Sequence, residues 1–170
     1  MFIETERLIL KPITADDYED QCALWSDPDY VQFISGKPMN PETVWLRLLR
    51  DLGHWQVFGH GNWSVRPKTT GEHIGTVGIF DYKRDITPPI SAMEVGWGLS
   101  PAWQGQGLAA EALRAILAYA DEGLKLTRLQ CIISPTNTPS LKLAEKLGFT
   151  IVGNVVYHDD NIHLLERLRP

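Results

Sequence analysis

The chain has 170 residues, 44% of them hydrophobic and 22% charged, which fits one globular domain over residues 1–170 and excludes a disordered protein. Its formal net charge of −5 argues against a nucleic-acid partner, since such proteins carry a basic patch. No apolar run nears the roughly 18 residues of a membrane span, and the start Met1-Phe2-Ile3-Glu4 lacks the pattern of a secretory signal. No membrane partner is expected, and a cytoplasmic location is the default.

Arg7 to Ile13 is a short apolar run with β character. Thr14-Ala15-Asp16-Asp17 then caps a helix that runs to Trp25, where Ser26-Asp27-Pro28 stops it. Asp29 to Asn40 reads as a looser stretch. Asn40-Pro41-Glu42 opens a second helix, cap first and proline at the first helical position, with Val44, Leu48, Leu49 and Leu52 as its apolar face. After Gly59 the period changes. Asn62 to Arg66, His73 to Tyr82 and Ala92 to Leu99 read as strands, the first two joined through Lys68-Thr69-Thr70-Gly71. Ala109, Ala112, Leu113, Ile116, Leu117 and Ala120 follow helical spacing, closed by Gly123 as a C-terminal cap. Leu129 to Ser134 is a buried strand, Thr138-Pro139-Ser140 starts a helix that ends at Gly148, and Phe149 to Tyr157 and Asn161 to Leu168 are closing strands. A meander followed by a strand-helix-strand crossover predicts an α/β (α+β) fold, a mixed sheet of about seven strands flanked by about four helices.

One turn carries chemistry. Between the strand ending at Leu99 and the helix from Leu108 lies Ala102-Trp103-Gln104-Gly105-Gln106-Gly107. A glycine-bearing turn at a helix N-terminus holds phosphate well, because its N–H groups lack intrahelical partners and the helix dipole adds positive potential. Glycine lets the ligand approach the backbone and allows positive φ. The turn has no Gly-Lys-Ser/Thr, which disfavours a P-loop, and no third glycine in an early βαβ unit, which disfavours a dinucleotide fingerprint.

Gln104-x-x-Gly107-x-Ala109 resembles the Gln/Arg-x-x-Gly-x-Gly/Ala signature of GNAT acetyltransferases. Upstream, Glu94-Val95-Gly96-Trp97 resembles that family's fourth strand, where a bulge splays the sheet. Downstream, Asn137-x-x-Ser140-x-x-Leu143-x-Glu145-Lys146-Leu147-Gly148-Phe149 resembles its final helix. The order of elements matches from Thr5 to Leu168. Thr5-Glu6-Arg7-Leu8-Ile9-Leu10 and the Asn-x-x-Ser helix further resemble the RimJ/RimL-like branch, which includes enzymes acting on the N-terminal amine of ribosomal proteins.

The resemblance implies acetyl-CoA as co-substrate. Gln104, Gly105, Gln106, Gly107, Leu108 and Ala109 would cradle its pyrophosphate, and Asn137 its pantetheine arm. It also implies an amine-bearing acceptor whose neutral amine attacks the thioester directly. Glu94 is the candidate base, acting through water once burial raises its pKa; its plain alternative is a residue that only ties down the strand. Backbone N–H groups around Trp97, Gly98 and Leu99 would stabilise the oxyanion, with Gly96 and Gly98 read as bulge or close-approach glycines. Ser140 would assist the leaving thiolate, since the tyrosine that many family members place seven residues after the asparagine is Ala144 here; a helix cap is its other reading. Trp55, Phe58, Tyr30 and Phe33 fall in segments that line the acceptor side by resemblance. Outside that resemblance, Lys142 and Arg114 are the candidates for the 3′-phosphate, and a surface salt partner is the other reading of each.

The two cysteines, Cys22 and Cys131, form no Cys-x-x-Cys pair, and the five histidines show no metal-ligand spacing, so no metal is expected. Three other readings stay open: acetylation of a small amine such as a polyamine, amino acid or aminoglycoside; a non-catalytic acyl-CoA-binding module; and a nucleotide-binding module of another fold. A homodimer also stays open.

Overall fold

The computed structural model describes all of residues 1–170. A two-residue strand β1 (Ile3–Glu4) precedes β2 (Leu8–Pro12), and a 3-10 turn at Ala15–Asp17 leads into α1 (Tyr18–Ser26). Next come α2 (Pro28–Val31), α3 (Pro41–Phe58), β3 (Asn62–Pro67), β4 (Gly75–Phe80) and β5 (Met93–Leu99). The chain continues through α4 (Leu108–Glu122), β6 (Arg128–Ile133), α5 (Thr138–Lys146), β7 (Thr150–Tyr157) and β8 (Asp160–Leu168). The eight strands form one mixed sheet in the order β1-β2-β3-β4-β5-β6-β8-β7.

Local chemistry sets the boundaries. Asn40 Oδ1 accepts from the Thr43 N–H at 2.8 Å and Pro41 occupies the first turn, so α3 starts where cap and proline predict. It ends at Gly59, left-handed at φ 72. Three expectations need correction. The stretch after Asp27 is not simply loose: the Asp27 carboxylate accepts from the Asp29 N–H at 2.9 Å, Pro28 follows, and the short α2 forms. Gly123 does close α4, but in right-handed geometry; glycine is needed because a Cβ would lie 2.6 Å from the Tyr119 ring, and Lys125 takes the left-handed turn instead. The count of strands is one higher because β1, too short to show a period, adds to the edge.

Alternation along the strands divides the sheet into two unlike faces. Leu8, Leu10, Trp63, Val65, Val77, Ile79 and Val95 point to one side and join Ala112, Leu113, Ile116, Leu117 and Ala120 of α4 in the main core. Each of these side chains is no more than 4% exposed, and burying one is worth about 1.5–3 kcal/mol for the larger aliphatics. The intervening residues face α1–α3 and, apart from Ile9 and Phe80, are polar or small, among them Ser64, Thr76, Gly78, Glu94 and Gly96. Ser64 hydrogen-bonds His73 at 2.6 Å, whose other ring nitrogen meets Gln21 of α1 at 2.6 Å. The Asn62 amide donates to Asp51 of α3 at 3.2 Å.

The sheet is open on one side of β5. β5 pairs with β4 from Leu99 back to Glu94 in unbroken register, yet it meets β6 only through Met93↔Leu129 and Glu94↔Gln130. Beyond Glu94 the two parallel strands part without a bulge against β4; the only register shift in the sheet is at Ile151/Gly153 in β7. The peptide groups of Val95–Leu99 on that edge therefore have no strand partner.

Candidate active site

A groove of about 890 Å³ follows the opened edge and the N-terminus of α4. Gly105 and Gly107 adopt φ 75 and 76, which glycine alone takes without strain, and Gly107 is the N-cap residue. The first intrahelical bond runs from the Glu111 N–H to the Gly107 carbonyl, so the N–H groups ahead of it are free for an anion. The Gln104 amide donates to the Leu99 carbonyl at 3.0 Å and pins the turn to the end of β5. Gly105, Gly107, Leu108 and Ala109 line the groove; Gln106 does not. Its carbonyl instead accepts from Arg7 Nη1 at 2.9 Å.

Arg7 also bonds Glu111 through Nε at 2.7 Å and through its own N–H at 2.8 Å, while Thr5 Oγ1 donates to the same carboxylate at 2.6 Å. Burial works against the charge on Glu111, but Thr5 and Arg7 outweigh it and hold the carboxyl below its ordinary range. The Thr5-Glu6-Arg7 segment thus fastens the turn from outside, a contact invisible in the sequence. The cation that lines the groove is Lys146, in the last turn of α5; neither Lys142 nor Arg114 does so.

A second cavity, about 200 Å³, lies on the α1–α3 side of β4 and β5. Glu94 belongs to it and is 4% exposed. Arg84 Nε donates to both Glu94 oxygens, at 3.1 and 2.8 Å, and Arg84 Nη1 donates to the Tyr157 hydroxyl at 3.1 Å. Burial pushes the Glu94 carboxyl up and the Arg84 contact offsets only part of that rise. Arg84 itself is held charged: burial lowers its pKa, but Glu94 more than reverses this. Glu94 is therefore a carboxylate raised toward neutrality, as a base needs, and also a tied one. The Glu94 side chain neither faces solvent nor bonds the strand; its hydrogen-bond partner is Arg84.

The two cavities meet. Tyr30, Phe33, Trp97, Gly98, Asn137 and Ser140 line both, so a molecule held in one can meet a molecule held in the other. Asn137 caps α5, its carboxamide oxygen accepting from the Ser140 N–H at 3.4 Å, while the Ser140 hydroxyl takes no partner from the chain. Gly98 and Gly96 are close-approach glycines. A Cβ at Gly98 would lie 3.0 Å from the Tyr30 hydroxyl, and one at Gly96 only 2.6 Å from the Phe80 ring. Phe33 and Tyr30 reach the junction, whereas Trp55 and Phe58 do not line either cavity. Sequence reasoning missed Arg47, Arg50, Tyr82, Arg84 and Tyr157, all in the second cavity. Ala144, where a tyrosine was looked for, is fully buried in the core. Cys131 is buried too, and burial pushes its thiol up, away from the reactive thiolate. No group of three or more His, Cys, Asp or Glu is placed to hold a metal, and no helix is long and apolar enough to cross a membrane.

Comparison with known proteins agrees with this architecture. Residues 7–150 match the acetyltransferase (GNAT) domain family. The uncharacterized N-acetyltransferase p20 of Bacillus licheniformis is 30% identical over 146 residues, covering 85% of this chain and 80% of that protein. A GnaT-family acetyltransferase structure from Bordetella pertussis superposes with a TM-score of 0.86 at 30% identity, covering 98% of this chain and 99% of that one. The fold also matches RimL, a ribosomal L7/L12 α-N-protein acetyltransferase in complex with coenzyme A, with a TM-score of 0.79 at 15% identity over 99% and 98% of the two chains. The opened sheet, the glycine turn at α4 and these likenesses place the chain in the GNAT family of acetyltransferases.

Proposed function

We propose that the chain, acting as one domain over residues 1–170, transfers the acetyl group of acetyl-CoA to a primary amine seated in the cavity beside Glu94. The observation that carries this reading is the junction: a long groove and a small cavity share Trp97, Gly98, Asn137 and Ser140 beside an opened sheet edge. Coenzyme A fits the groove because its pyrophosphate would meet the free N–H groups of Gly105–Ala109, with Lys146 available to a further phosphate.

The amine nitrogen attacks the thioester carbonyl, the C–N bond forms, and the C–S bond then breaks. N–H groups of Trp97–Leu99 on the unpaired edge of β5 would receive the developing oxyanion. Glu94 takes the proton lost by the amine, through water. The thiolate leaves past Ser140, whose hydroxyl can donate to sulfur; a thiol with a pKa near 8.5 scarcely needs full protonation. Both a free small amine and the first residue of a polypeptide present the required group. The likeness in fold to RimL, named for ribosomal-protein acetylation, favours the second, while the 200 Å³ cavity, smaller than the roughly 300–1,000 Å³ of drug-sized ligand sites, favours the first.

Acetyl-CoA-dependent thiol release, measured across peptides with free α-amines and a panel of small amines, tests the proposal. Turnover with any amine supports a transferase. Coenzyme A binding without release from any of them would leave a non-catalytic acyl-CoA-binding module.

A further inference from the structure

The cavity beside Glu94 holds a cation that nothing in the chain neutralises. Arg47, Arg50 and Arg84 line it together. Arg84 is paired with Glu94, and Arg50 with Asp51 at 3.2 Å. Asp51 is further engaged by the Tyr82 hydroxyl at 2.7 Å and the Asn62 amide at 3.2 Å. Arg47 has neither an ion pair nor a hydrogen bond. Its guanidinium lies 4.2 Å over the Trp25 ring, one turn of α3 before Asp51.

The groups around Arg47 do not satisfy it. Burial lowers its pKa most, the like charge of Arg50 adds to this, and Asp51, Tyr82 and Tyr30 act against it only at a distance. A guanidinium keeps its proton in proteins regardless. Arg47 is half-buried, its guanidinium facing the cavity with no acceptor from the chain, so a ligand that brings the counter-charge would find its donors free. The planar donor fork matches a carboxylate in bidentate fashion.

We propose that Arg47 is the carboxylate subsite of the acceptor, and that the acceptor is a small free amino acid, its amine toward Glu94 and its carboxylate on Arg47. This rests on the transferase reading above and narrows it. With Arg84 paired to Glu94 and Arg50 to Asp51, Arg47 leaves the cavity one positive charge in surplus, which disfavours polyamines and aminoglycosides. A peptide N-terminus lacks the free carboxylate, which is consumed in its first amide bond.

Thiol release from acetyl-CoA decides the matter, with glycine, L-alanine, β-alanine and γ-aminobutyrate as acceptors against glycinamide, alaninamide, an alanyl tripeptide and spermidine. The amides have the less basic amines, so the comparison is biased against the expected result. The free amino acids should exceed the matched amides in kcat/KM by about 10- to 100-fold, as a charge-assisted contact would give. Arg47→Met should erase that preference, mainly through KM, with the amides and coenzyme A affinity nearly unchanged; Arg47→Lys should keep part of it. If Arg47→Met fails to fold, the wild-type comparison and Arg47→Lys still decide. Equal rates for acids and amides in the wild type, or preference for the tripeptide, overturn the amino-acid assignment alone. Release from none of these amines, with coenzyme A still bound, overturns the transferase reading and the assignment with it.

Discussion

The two faces of the central sheet are built from the same strands and do opposite work. On the α4 side, Trp63, Val65, Val77 and Ile79 pack against Leu113 and Ile116, and the one polar group among them, the Trp63 indole N–H, donates to the Met1 carbonyl at 3.2 Å. On the α1–α3 side, the alternate residues Asn62, Ser64, Thr76 and Glu94 meet polar partners, and space is left between them. The first face supplies stability through area removed from water. The second forgoes some of that burial and holds charged groups in a half-enclosed, low-dielectric space, where their interactions are strong and their pKa values move. Strand alternation separates the two tasks, so each can change without the other.

The largest expected effect lies on the polar face. Glu94→Gln should lower kcat/KM by about 10²- to 10⁴-fold, the usual contribution of a positioned base, while leaving coenzyme A affinity intact. Because burial raises the Glu94 pKa, wild-type activity should fall on acidification at a pH above the ordinary carboxylate range. The sign is fixed by the chemistry: the ionised form is the base, so activity is lost as pH drops through the raised pKa. A pH–rate profile for Glu94→Gln that keeps the same acid limb would remove Glu94 from this role.

Ile116→Ala, on the apolar face, should behave in the opposite sense. Ile116 is fully buried, and truncation should cost about 2–5 kcal/mol of unfolding free energy, read from urea denaturation, with kcat little changed. A matching collapse of kcat at full occupancy of the fold would show that the faces are coupled after all.

Two smaller effects concern the elements that join them. Asn137→Ala removes the α5 cap at the cavity junction and should cost about 1 kcal/mol of stability by denaturation, together with weaker coenzyme A binding by calorimetry. Arg7→Ala frees the Gln106 carbonyl and the Glu111 carboxylate without touching the groove. Arg7 is half exposed, so a loss of only a few-fold in coenzyme A affinity is expected, shrinking with added salt. No loss at low salt would mean that the turn holds its shape unaided.

Much of the fold was legible because the signals are local. Asn40-Pro41 and Gly59 mark the ends of α3 through hydrogen bonds and φ angles that those residues alone satisfy. The spacing of Ala112, Leu113, Ile116 and Ala120 marks α4, and Gly105 and Gly107 mark the turn, all within a few residues of the feature they announce. The glycine turn that lines the larger groove was legible for the same reason, since it is one continuous segment. The smaller cavity was legible only in part, through Glu94, Tyr30 and Phe33. Arg47, Tyr82, Arg84, Glu94 and Tyr157 come from α3, the loop after β4, β5 and β7, and no period relates them. One faint signal existed: Arg47 and Asp51 interrupt the inward stripe of Val44 and Leu48, and charges on a buried stripe need a reason.

By itself, then, the sequence determined the elements, their order, the family likeness and the glycine turn ahead of α4, because caps, glycine angles and hydrophobic period act over one or two turns of chain. Only the tertiary structure decided that β5 and β6 part after Glu94 with no bulge against β4, that Arg84 holds Glu94, and that Arg47 is left without a partner. Those outcomes depend on which side chains meet across the sheet. That is a matter of packing and charge between segments distant in the chain, and no local pattern encodes it.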